Sequence, residues 1–138
     1  MNKTIINFCL IVLISIFCFG KINAQQCCNT TQYPSVATVA PTFGTTTIST
    51  CNYLIEYSEI SSVIAGSSYT LEVANTNAWV TIYSGSSCGT YVADGSSPLT
   101  FTALTSGTYY VHWTVNSSCV TATTCETTTI TAVNITPT

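Results

Sequence analysis

The sequence predicts an all-β protein: a small antiparallel β-sandwich of about seven to eight strands, stapled by disulfides. Three observations predict it. Beyond residue 25, β-branched and aromatic residues dominate while leucine is scarce. Gly, Ser and Asn recur at short intervals, and no window carries helical periodicity. An even set of cysteines, Cys27, Cys28, Cys51, Cys88, Cys119 and Cys125, occupies the same region.

The first element is not part of the fold. MNKTIINFCLIVLISIFCFGKINAQQ opens with Lys3, continues with an apolar run from Ile5 to Phe19, and ends on Ile22-Asn23-Ala24. This is the plan of a secretory signal peptide over residues 1–24, cleaved after Ala24. The run is shorter than the roughly 20 residues a membrane-spanning helix needs. Gln26 rather than a small residue precedes Cys27, against a lipoprotein signal. The product is expected to be exported and not membrane-embedded, at the outer cell surface or beyond it, with the periplasm as the other compartment.

Cleavage removes Lys3 and Lys21, the only basic side chains, and leaves five acids: Glu56, Glu59, Glu72, Asp94 and Glu126. Nucleic-acid binding draws its affinity from Lys and Arg on phosphates, so no nucleic-acid partner is expected. Phosphate-bearing cofactors and anionic membranes lose their usual partners in the same way.

Residues 25–50 form an extended Thr-rich lead-in, an expected edge strand interrupted by Pro34 and Pro41. The sandwich domain proper is placed at 51–135, with strands at 53–60, 68–75, 79–85, 90–95, 99–104, 108–116 and 127–135; 136–138 is a tail. Side chains on a strand alternate between faces. Tyr69, Leu71 and Val73 are therefore assigned to the core, as are Val80 and Ile82, and Leu99 and Phe101. Tyr109, Val111, Trp113 and Val115 complete the core, with Trp113 filling the gap between the sheets. The opposite faces carry Trp79 and Tyr83, and Tyr110 and His112. These four are the candidate ligand-binding residues, since flat rings stack on sugar faces while nearby hydroxyls and amides satisfy sugar hydroxyls.

In an exported chain the cysteines read as cystines. Cys119 and Cys125 are expected to pair across a short polar loop. Cys51 and Cys88 are expected to take partners from Cys27 and Cys28, in an order the spacing does not assign. The spacing of the cysteines and the lone histidine does not form a zinc set.

The succession CCNTTQYPS, TISTCNYLIEYSEI, AGSSYTLEV, WVTIYSG, PLTFTA, SGTYYVHWTVNSSC and TTCETTTI covers nearly all of residues 27–131. It resembles a secreted β-sandwich repeat module of modular Bacteroidota surface proteins. More distantly, AGSSYTLEV with SGTYYVHW is similar to bacterial pre-peptidase C-terminal domains. The resemblance implies a non-catalytic extracellular sandwich, and brings no ligand with it. The ending AVNITPT looks like the start of a linker, leaving open whether the chain acts alone or as one module of a longer protein.

Several motifs can be weighed as chemistry. Gly85-Ser86-Ser87-Cys88-Gly89 fits G-x-S-x-G, and Asp94 and His112 follow in hydrolase order. That elbow requires a strand-to-helix turn, however, and a hairpin connection holding Cys88 is the simpler reading. His112 as a general base lacks an identifiable nucleophile and orienting partner. Glu56, Glu59, Glu72 and Asp94 lack the cleft that paired-carboxylate chemistry needs. Calcium on Asp94 or Glu56 is the one cofactor worth keeping in view; otherwise Asp94-Gly95 reads as a hairpin-turn pair.

The chain is therefore expected to be a non-catalytic extracellular structural or adhesive module. Its partners would be an extracellular glycan or neighbouring surface modules. The alternatives are a carbohydrate-binding module using its exposed aromatics, and a self-assembling filament or surface-layer subunit built on edge strands that lack lysine.

Overall fold

The computed structural model describes residues 26–74 and 77–137; the predicted signal peptide lies outside them. Ten strands run in order: β1 (Thr31–Gln32), β2 (Thr38–Val39), β3 (Thr45–Leu54), β4 (Glu56–Val63), β5 (Ser68–Val73), β6 (Trp79–Ser84), β7 (Thr90–Ser96), β8 (Leu99–Thr102), β9 (Gly107–Thr114) and β10 (Ala122–Asn134). No helix occurs among the described residues. The strands form two sheets. One has the order β4-β9-β6-β7, with β1 and β2 both lying parallel against β4; the other has the order β3-β10-β5-β8.

The all-β sandwich class is as predicted, but the strand count is higher and the lead-in accounts for most of the difference. Within it, residues 31–50 supply one edge of each sheet: β1 and β2 on one, and most of β3 on the other. β1 stops before Pro34 and β2 before Pro41, since proline has no N–H to continue a ladder. The predicted strand 53–60 is in fact two strands in different sheets, joined at Ile55. The bend is held from inside, where the Glu56 carboxylate accepts the Tyr53 N–H at 2.8 Å. Asp94-Gly95 is not a turn. Both residues lie within β7, and the crossing to β8 in the other sheet is made through Ser97 and Pro98.

Between the sheets the alternating apolar residues meet. Ile60, Val80, Ile82, Tyr109, Val111 and Trp113 come from the six-stranded sheet; Tyr69, Leu71, Val73, Phe101 and Ile130 come from the four-stranded one. Phe101 is in ring contact with both Tyr69 and Tyr109, at 5.9 and 5.6 Å. Leu99 is only partly buried at the margin of this core. Val115, assigned to the core from alternation, is instead 36% exposed. β9 ends at Thr114, and the Val115 N–H turns to the Val120 carbonyl to close the loop before β10.

One end of the core is polar and fully bonded. The Trp113 indole N–H donates to Ser58 Oγ at 3.0 Å, and Ser58 donates to the Tyr33 carbonyl. Asn52, fully buried, donates to the Tyr33 carbonyl and to Glu56 Oε2 and accepts the Thr128 hydroxyl at 2.6 Å. Buried polar groups are tolerated when paired in this way, and the network ties the lead-in to both sheets.

The outer face of the four-stranded sheet is built of hydroxyls. Thr45, Thr131, Thr70 and Thr100 are in register across its four strands. Cross-strand hydroxyl pairs join Thr45 to Thr131, Thr70 to Thr100 and Ser68 to Thr102. Such pairs stabilise a sheet without charge.

Candidate functional site

The outer face of the six-stranded sheet carries the aromatic side chains and the histidine. Cross-strand register arranges them in rows. Glu59, Tyr110, Tyr83 and Tyr91 form one row across β4, β9, β6 and β7. Tyr57, His112, Thr81 and Asp94 form the next, and Thr114, Trp79 and Ser96 a third. Period-two alternation explains the shared face, and antiparallel pairing explains the alignment.

The centre of this face is sealed. Cys27 pairs with Cys119 and Cys28 with Cys88, at Cα separations of 5.3 and 5.7 Å, so adjacent cysteines pin two different loops to the amino-terminal segment. The third bridge, Cys51–Cys125, links β3 to β10 with the Cα atoms 4.3 Å apart. The expected Cys119–Cys125 pair does not form, and Cys51 takes Cys125 rather than an amino-terminal cysteine. Cys119 sits in the turn after β9, its N–H on the Asn116 carbonyl. Cys125 is already three residues into β10, about 10 Å along an extended chain, where Cys51 of the neighbouring strand lies within reach.

Beneath this clamp His112 is fully buried, not on the surface as alternation alone suggested. Its Nδ1 accepts the Asn29 N–H at 2.8 Å, which places the ring proton on Nε2, directed to the Ser87 carbonyl of the β6–β7 connection. Asn29 is held in turn, its amide donating to the Glu56 and Trp113 carbonyls. Burial pushes the His112 pKa down from 6.5 to about 4, against a smaller opposite pull from the Ser87 carbonyl. The imidazole is a neutral structural link with both nitrogens occupied.

Tyr83, also expected outside, is buried as well. Its ring lies against His112 at 5.1 Å and Tyr91 at 6.5 Å. Alternation assigned the correct face to both residues, but that face is covered at its centre by residues 27–29 and by the 85–89 connection. Thr81 is fully buried there too, and its hydroxyl has no hydrogen-bond partner.

Around the sealed centre the face stays accessible. Trp79 and Tyr110 are half-buried, and Tyr57 is half-buried with its ring stacked on His112 at 5.2 Å. Tyr91 is 41% exposed and donates to Asp94 Oδ1 at 2.9 Å. Loss of solvation, and then Asp94, hold the Tyr91 phenol above its ordinary pKa.

The motifs weighed as chemistry take ordinary places. Ser86, Ser87 and Cys88 lie in the connection between β6 and β7, and a strand rather than a helix follows Gly89. Glu56 is buried and turned onto Tyr53 and Asn52. Among the described residues no group of three or more His, Cys, Asp and Glu is arranged to hold a metal. Asn29 and Asn52, which hold the clamp and the polar end of the core, carried no signal in the sequence. Each is one polar residue beside a cysteine.

No protein-family model matches the chain, nor does any curated protein sequence. Among solved structures it is similar to the crystal structure of Aeromonas hydrophila PliG, a periplasmic lysozyme inhibitor of g-type lysozyme. The two share 10% identity at a TM-score of 0.50, over 70% of this chain and 97% of that one. At that identity the likeness is one of fold.

Proposed function

We propose that the mature chain is a non-catalytic extracellular module with a structural or adhesive task, presenting fixed contacts from a cystine-hardened sandwich. The observation that carries this reading is the sealed histidine. The one side chain suited to acid–base work near neutral pH is buried, neutral and bonded at both nitrogens, under a segment pinned by two disulfides. The chain invests its polar geometry in holding the amino-terminal segment down, and leaves aromatic and hydroxyl faces outside. Similarity in fold to an inhibitor, a protein whose task is to bind, supports the same reading. So does the resemblance of the block order to modules of Bacteroidota surface proteins, which also supports a place at the cell surface.

Binding of neutral glycan is the second reading, favoured by half-exposed Trp79, in register with the exposed Ser96, and by half-exposed Tyr110 on the same face. Both readings meet in one experiment. Oxidised residues 25–138 are run through native gels containing a panel of polysaccharides, with parallel assays for reducing ends and acyl release on the same panel. Retention without turnover supports a binding module. Retention lost in Trp79→Ala with an intact fold selects the carbohydrate-binding form. Turnover of any substrate, abolished by substituting a single carboxylate or His112, would end the non-catalytic reading.

A further inference from the structure

The carboxylates are not spread evenly over the molecule. Glu56 is buried in the core network. Glu72 stands on the hydroxyl face, in register with Thr129, and Glu126 lies on β10 beside Cys125. The other two stand among tyrosines on the outer face of the six-stranded sheet. Glu59 is in register with Tyr110, whose ring meets Tyr57 at 6.2 Å. Asp94 accepts the Tyr91 hydroxyl on the far side of the sealed centre. The row from Glu59 through Tyr110 and Tyr83 to Tyr91 crosses four strands, about 14 Å at the usual strand spacing.

The ring geometry discriminates between ligands. Tyr57 and Tyr110 are inclined at 55°, and the exposed Tyr91 stands at 78° to the buried Tyr83. Rings set at such angles do not make the coplanar platform on which a sugar chain lies. They do offer π faces beside carboxylates, and both attract ammonium and guanidinium groups. Residues 25–138 contain no lysine or arginine to occupy either position from within. Tyrosine is also a side chain that anchors protein interfaces at small entropic cost.

We infer that this face binds a cationic protein segment. One basic side chain settles over Tyr110 against Glu59, and another over Tyr91 against Asp94. The inference rests on the reading of the chain as a binding module and names the chemistry of its partner.

The test uses the mature oxidised chain and fluorescently labelled repeat peptides of Arg-Gly-Ser, Lys-Gly-Ser and Glu-Gly-Ser, followed by polarisation at low and physiological salt. The arginine and lysine peptides bind, arginine more tightly, and the glutamate peptide does not. The double variant Glu59→Gln/Asp94→Asn keeps both π faces and weakens binding by about tenfold, the scale of two lost surface ion pairs. The control Glu72→Gln/Glu126→Gln, which removes the same charge elsewhere, changes affinity by less than about twofold, as expected for screened distant charges. Tyr110→Phe keeps the π face and most of the affinity, whereas Tyr110→Ala loses it.

Absence of binding by the cationic peptides overturns the inference. So do equal losses in the two double variants, which mean diffuse attraction, and so does Tyr110-dependent binding of a neutral oligosaccharide in their place. Retention on polysaccharide gels together with failure of the peptides removes this inference alone and leaves the module reading standing.

Discussion

Acidification should weaken this protein through one side chain, His112. The folded state holds its imidazole neutral, with the Asn29 N–H donating to Nδ1; protonation would set N–H against N–H in a buried site. The folded pKa is about 4, against 6.5 for the free side chain. As pH falls, the unfolded chain therefore takes up the proton first. The stabilisation is complete above about pH 6.5, declines through the interval, and is gone at about pH 4. Each tenfold difference in proton affinity corresponds to about 1.4 kcal/mol, so the full interval removes about 3 kcal/mol. For a domain of this size that is a large share of a total of roughly 5–15 kcal/mol. The assay is guanidinium unfolding of oxidised residues 25–138, followed by tryptophan fluorescence from pH 7.5 to 4. With a slope of about 3 kcal/mol per molar, the midpoint should fall by about 1 M. His112→Gln keeps an acceptor for Asn29 and a donor for Ser87 without a titrating group, and should flatten the profile. A flat profile in the parent, or an unchanged slope in His112→Gln, would refute the reasoning.

Four further outcomes follow from particular contacts. Asn52→Ala leaves the Thr128 hydroxyl, the Tyr33 carbonyl and Glu56 Oε2 short of a partner in the core, and should cost about 3 kcal/mol in thermal unfolding. Thr81→Val removes the buried hydroxyl that has no partner while keeping its shape, and should raise stability by about 1 kcal/mol in the same measurement. Cys119→Ser should free Cys27 and leave Cys125 bridged to Cys51, read by alkylation and peptide mass mapping. Cys88→Ser opens a bridge spanning 60 residues and should cost about 4 kcal/mol on loop entropy.

Much of the fold was legible before any coordinates. Period-two alternation placed Tyr69, Leu71, Val73, Val80, Ile82, Phe101, Tyr109, Val111 and Trp113 inside, because side-chain direction along a strand is a local stereochemical fact. Turn residues bounded most strands for the same local reason. Alternation failed at Val115 and across 53–60, where the chain leaves one sheet: the turn there is set by long-range pairing and by the Glu56 carboxylate inside the bend.

The candidate site was legible only as a face. That Trp79, Tyr83, Tyr110 and His112 share a side of one sheet follows from strand register, and that residues 25–138 bring no lysine or arginine to it follows from composition. Which of the four stay outside was decided by residues far away in sequence. Asn29 reaches His112 across 83 positions, and Cys27 reaches Cys119 across 92. Local sequence determines which way a side chain points. Whether that direction ends in solvent or under another segment depends on pairings whose partners are chosen by the packed whole, and here the tertiary structure made the only histidine a keystone, buried Tyr83 beside it and left Tyr57, Tyr110 and Tyr91 at the accessible margin.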